Sequence, residues 1–151
     1  MKYLLLLLPF LTLFNGCSHK NAYSYFEMNT QTQLFESNTQ SMKIIGSRGL
    51  EGLLTVAYLN NIDSNISQDQ EHFLVSLYMK DKNSSYSFKL NAESPISIKS
   101  LENKEKYNSF FESQSPWSKN TLITFKRSSD LNLTFYSSPS TSVLMSFSKE
   151  Q

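Results

Sequence analysis

One cysteine, two histidines and thirteen carboxylates lead the groups in this 151-residue chain that could act as nucleophiles, acids, bases or metal ligands. Cys17 has no second cysteine to pair with, so an intrachain disulfide is impossible. His19 lies in a polar stretch near the N-terminus, and His72 opens an apolar alternating run. Neither has another histidine at ligand spacing, which excludes Cys–His catalysis and histidine-rich zinc sites on inventory. Both are expected to face solvent. A Ser-His-Asp arrangement through His72 stays open because serine is abundant, although no G-x-S-x-G elbow occurs. Glu102, Glu105 and Glu112 could build a paired-acid hydrolase site. They alternate with Lys104 and Lys106, and mixed charge of that kind usually marks a solvated connection. Glu71 and Glu93 read as strand-end charges. No residue is assigned to catalysis, to a cofactor or to a metal.

Cys17 has a different chemistry available. Met1-Lys2-Tyr3 is a short positive start, and Leu4 to Phe14 is apolar apart from Pro9 and Thr12. About 11 residues are too few to cross roughly 30 Å of hydrocarbon as a helix, but they match the apolar region of an export signal. The stretch Leu13-Phe14-Asn15-Gly16-Cys17 resembles the lipobox of bacterial lipoproteins. Phe14 stands where leucine is usual, and Asn15 where a small residue is commoner. The resemblance covers residues 1–17 only. It implies that residues 1–16 are a signal peptide, that the Cys17 thiol takes a diacylglyceryl group, and that the new amino terminus is acylated. Ser18, in place of an aspartate, implies the outer membrane, with the domain in the periplasm; the inner membrane and the cell surface are the alternatives.

Two surface features stand out beyond the anchor. Three N-x-[ST] sequons begin at Asn65, Asn83 and Asn132, each with an aspartate two residues earlier: Asp63, Asp81 and Asp130. The pattern resembles the acidic acceptor sequon of bacterial N-glycosylation, although Asp, Asn and Ser are turn residues in any case. The expected order of modification is Asn65, then Asn83, with Asn132 shielded inside a strand. Tyr107, Phe110, Phe111 and the only tryptophan, Trp117, cluster in one polar segment. They are either a patch that meets a partner or a lid over the sandwich.

The elements that must position these groups follow from period two. Phe73, Val75, Leu77 and Met79 form one apolar row, with Ser76 and Lys80 expected outside. Tyr86, Phe88 and Leu90 form another; Leu131, Leu133 and Phe135 a third; Val143, Met145 and Phe147 a fourth. Ile96–Ile98 and Leu122–Phe125 are shorter candidates. Leu53–Leu59 fits strand or helix, and Thr55, Val56, Gly49 and Gly52 favour strand. The glycines of the exported part all fall between Gly46 and Gly52, where they mark a turn and match no phosphate-binding pattern. Residues 101–119 read as a polar segment with a short helix. Tyr23, Phe26, Leu34 and Phe35 suggest a docked helix or an irregular arm.

Seven or so short strands predict a mainly β fold, an antiparallel β-sandwich with immunoglobulin-like arrangement as the first expectation and a small barrel as the alternative. No Cys…Trp…Cys signature accompanies it. The expected organisation is a signal at 1–16, a lipidated tether with a short helix at 17–40, and the sandwich at 41–151. Removing 16 residues leaves 135, an ordinary domain. Formal charge is +1 and falls to zero once Lys2 leaves with the signal. A neutral chain lacks the basic field that nucleic-acid binding uses. The expected function is a non-enzymatic binding or assembly accessory, held to the membrane by its lipid and meeting an envelope protein. A small periplasmic hydrolase and a purely structural lipoprotein are the alternatives.

Overall fold

The computed structural model describes residues 30–47, 49–101, 106–111, 117–137 and 141–149. Cys17, the signal and residues 17–29 of the tether lie outside them, as do Glu102, Glu105 and Glu112. A helix, α1 (Thr30–Ser37), leads into eight strands: β1 (Thr39–Gly46), β2 (Gly49–Tyr58), β3 (Gln70–Met79), β4 (Tyr86–Leu90), β5 (Ser97–Ser100), β6 (Lys119–Lys126), β7 (Leu131–Ser137) and β8 (Thr141–Phe147). Leu53–Leu59 is strand up to Tyr58, and Leu59–Asn61 is a 3₁₀ turn.

All strand pairs are antiparallel, in two sheets of order β1-β2-β3-β6-β5 and β4-β7-β8. Relabelled A to G, strands β2 to β8 have the order A-B-E-D on one sheet and C-F-G on the other. That is the connectivity of a constant-type immunoglobulin sandwich, with β1 added beside strand A. The β1–β2 hairpin turns at Gly46 and Gly49, and Gly49 takes φ 92, a left-handed conformation that glycine adopts without strain. Gly52 is needed for a different reason: a Cβ there would stand 2.4 Å from the Tyr78 carbonyl oxygen on the neighbouring strand.

The apolar rows face each other across the sandwich. Phe73, Val75 and Leu77 of β3, Ile123 and Phe125 of β6, Leu133 and Phe135 of β7 and Met145 of β8 meet in one core. A second, smaller core lies on the outer face of the larger sheet. There Ala57, Leu59, Ile62 and Leu74 are covered by Phe111, with Phe35 of α1 and Phe110 packed against them. The central strand β3 is therefore enclosed on both faces, and Ser76, expected outside, is 2% exposed.

The chain reaches β1 from α1 at one pole and reverses at the β1–β2 hairpin at the other, about 27 Å away at the usual rise per residue. The tether pole carries the β2–β3 and β6–β7 connections and the chain end after β8. The hairpin pole carries the β3–β4 loop and the start of β6. After β4, Leu90 and Glu93 exchange two 2.9 Å backbone hydrogen bonds around Asn91 (φ 49) and Ala92 (φ 71). Both central residues of this turn are left-handed, a form that normally places glycine second. Ala92→Gly is expected to stabilise the domain by about 1 kcal/mol, measured as a higher urea midpoint at unchanged slope.

Candidate functional site

Chemistry-bearing side chains concentrate at the tether pole, where they serve the fold. Glu71, expected to be a strand-end charge, is 1% exposed. Its Oε2 accepts from the Tyr58 hydroxyl at 2.6 Å, and its Oε1 accepts from Lys149 Nζ at 2.6 Å and from the Ser128 N–H at 3.0 Å. Burial pushes this carboxyl up, and the three donors outweigh burial and hold it below the usual range. Tyr58 is pushed above its ordinary value by its own burial and by that bond. The network ties β2, β3, the β6–β7 connection and the chain end together.

Asp63 holds a second cluster. Its Oδ2 accepts from Lys106 Nζ at 2.7 Å and from the Tyr107 hydroxyl at 2.6 Å, and its Oδ1 accepts from the Asn65 N–H at 3.1 Å. The Lys106 and Tyr107 hydrogen bonds hold the Asp63 carboxyl well below its usual range. Burial, then Asp63, push Tyr107 up to about 12. His72, expected in solvent, is 8% exposed, with Nδ1 3.3 Å from Thr124 Oγ1, because the outer face of β3 is covered. Burial lowers its pKa. Among the described residues no three His, Cys, Asp or Glu side chains gather at metal-binding distance. No helix among them is long and apolar enough to cross a membrane.

These shifts give a pH dependence with one sign on the acid side. His72 is depressed, so stability is complete above its ordinary value of 6.5 and falls as pH drops below it. Glu71 and Asp63 are depressed too, and their contributions begin to fall below 4.5 and 3.8. The melting temperature is expected to decline from pH 7 downward and more steeply below pH 4.5, with Glu71→Gln flattening the lower limb. A melting temperature constant from pH 7 to 4 would contradict these assignments.

The four aromatics of 101–119 do not form one surface. Phe110 stacks on Phe35 at 4.8 Å and 7°, Phe111 meets Phe35 edge-on at 5.6 Å, and Phe111 is 2% exposed. With Tyr107 bound to Asp63, these three cover the outer face of the larger sheet. Trp117 stands apart at the hairpin pole, 70% exposed. It borders a cavity of about 240 Å³ with Leu77 and Met79 of β3 and Tyr86 of β4, and Asp81, Lys82 and Lys119 stand at its rim. Leu77 and Met79 are the last members of the β3 core row, so this is the open end of the main core. The volume lies below the roughly 300–1,000 Å³ of small-molecule sites. It fits one large side chain.

Asn65 and Asn83 are both exposed, and both aspartates two residues earlier form turns. Asp63 Oδ1 accepts from the Asn65 N–H, and Asp81 Oδ1 accepts from the Asn83 N–H at 2.9 Å. The Asn65 amide also donates to Asp63 at 3.3 Å. The Asn132 side chain is exposed, on the paired strand β7. The spacing of aspartate and asparagine pointed to turns; nothing local pointed to the Glu71 network, whose side-chain partners lie 13 and 78 positions away. Comparison with protein families, curated proteins and solved structures finds no match to this chain.

Proposed function

We propose that this chain is a lipid-anchored protein of a bacterial envelope that acts without catalysis, binding or helping to assemble another envelope component through its hairpin pole. The observation that carries the reading is Trp117, 70% exposed beside a cavity with an apolar floor of Leu77 and Met79 and a charged rim. That cavity lies one strand length from the pole where the chain comes in from its N-terminal segment. An exposed tryptophan at the mouth of a pocket is the kind of anchor that dominates protein interfaces. The lipobox-like Leu13–Cys17 stretch supports a lipid anchor, and Ser18 in place of an aspartate supports the outer membrane with the domain in the periplasm. The hydrolase alternative has less support, since His72 is enclosed against Thr124.

Co-purification from native envelopes after mild crosslinking tests the reading. Trp117→Ser is expected to cut recovery of a specific envelope protein by about tenfold, a loss in the range of an interface hot spot, with the melting temperature unchanged. Equal recovery with both proteins would overturn it.

Glycosylation belongs to the same proposal. In a host that modifies the acidic sequon, Asn83 is expected to be modified before Asn65, because the Asn65 amide is held by Asp63. This reverses the order expected from loop length. Intact-mass measurement of Asn83→Gln and Asn65→Gln proteins from their own cells decides it. A glycan lost only with Asn65→Gln would contradict the order.

A further inference from the structure

Among the described residues the smaller sheet ends at β4, which pairs with β7 and whose outer edge no other strand pairs. The Asn91 N–H donates to the Asn132 carbonyl at 3.0 Å. By alternation Ser87 and Lys89 also turn their backbone groups toward β7, and Tyr86, Phe88 and Leu90 turn theirs away. Glu93 takes up those of Leu90 at 2.9 Å. The backbone groups of Tyr86 and Phe88 are left facing away from β7, and the Tyr86 side chain lines the Trp117 cavity. On the opposing sheet, every residue of β5 is exposed. Ile98 pairs with the fully buried Ile123 and so points to the inner side of the sandwich, yet it is 57% exposed; Ile96 beside it is 51% exposed. Among the described residues no strand lies beside β4 to cover this inward-facing isoleucine. A variable-type immunoglobulin sandwich has its extra strand beside strand C, which is β4 here.

We propose that this edge receives an extended segment of a partner protein, which pairs with β4, covers Ile98 and Ile96, and seats an apolar anchor in the Trp117 cavity. Backbone pairing supplies affinity in such strand addition, and a pocket for an alternate side chain supplies specificity. Charge sets the class of occupant. Lys82 and Lys119 stand at the cavity with Asp81, and β4 itself carries Lys89 and no acid, so an acidic segment with alternating apolar residues fits. A second copy paired through β4 or β5 would set like charges against each other, since each strand has a lysine and no acid. The chain's own Ser18–Asn29 is not acidic: it has Lys20, His19 and Glu27. The inference rests on the binding reading above and names the partner's chemistry.

A ten-residue peptide tests it, with phenylalanine and valines alternating with threonines and an aspartate at each end, added to the full chain in detergent. Trp117 is the only tryptophan, so its emission reports this one cavity. The expected result is a saturable blue shift with slowed exchange of the Phe88 amide. Binding is expected to weaken by about tenfold or more in three controls: lysine ends on the peptide, alternate peptide N-methylation, and Ile98→Lys, which puts an inward-pointing charge at the edge. The melting temperature of Ile98→Lys should match wild type. No shift, or a shift that survives both N-methylation and Ile98→Lys, would overturn the proposal. So would a Phe88 amide protected without peptide at concentrations where the chain is dimeric, which would make the occupant a second copy. If the peptide fails while Trp117→Ser still removes an envelope protein from the co-purified material, strand addition falls and the accessory reading stands.

Discussion

Truncating Phe73 to alanine is expected to destabilise the domain by about 3–5 kcal/mol. The side chain is fully buried in the middle of β3, the strand paired on both sides by β2 and β6. Its ring lies 5.2 Å from Tyr58, 5.9 Å from Phe125 and 5.5 Å from Phe147. Alanine would leave a cavity that three strands cannot close together, because each is held in register by its own ladder. Domains of this size have about 5–15 kcal/mol in all, so the loss consumes roughly a fifth or more. Urea unfolding followed by Tyr and Trp emission measures it. Lys99→Ala, on the exposed strand β5, should stay within about 0.5 kcal/mol. Similar losses from the two substitutions would mean that β3 is not the centre of the core.

Replacing Cys17 with alanine is expected to abolish incorporation of a tagged fatty acid and to release the protein from the membrane fraction. Only a thiol can form the thioether to the diacylglyceryl group, and this chain has one thiol. Two or more acyl chains give stable anchorage where a single chain gives marginal binding, so attachment should be lost almost completely. The substitution lies outside the described fold, and the sandwich should melt at the wild-type temperature. Equal labelling of wild type and Cys17→Ala would end the lipoprotein reading.

Period two revealed those strands that have one face on the sandwich core. It carried β3, β4, β7 and β8, down to which residue of each pair faces inward. It misplaced Ser76 and His72, since alternation describes only the face that supplies the rule. The outer face of β3 is covered by α1 and the 107–111 segment, which are distant in sequence. Leu74 was the local sign: an apolar residue in the polar row of β3, and it is fully buried. Glu71 offered no such sign. Its burial depends on Tyr58, Ser128 and Lys149 arriving together, which only the finished topology arranges.

The aromatic segment was legible as a group and divided by the fold. Phe110 and Phe111 are three and four positions after Tyr107, on a 3₁₀ turn that sets them against Phe35. Trp117 comes after the chain has returned to the hairpin pole, so sequence proximity to Phe111 says nothing of spatial proximity. The cavity beside it joins Leu77 and Met79, Tyr86 and Lys119 from three strands in two sheets. No motif encodes it, because it is the unfilled end of the core.

The central claim is that the hairpin pole meets an envelope partner while the tether pole does not. A photoreactive phenylalanine at Ser84, on the rim of the cavity, and another at Ser129, exposed in the β6–β7 connection at the tether pole, test it in living cells. The account predicts a discrete crosslinked species from position 84, none from position 129, and loss of the first when Cys17→Ala frees the protein from the membrane. The same species from both positions, or none from position 84, would contradict it.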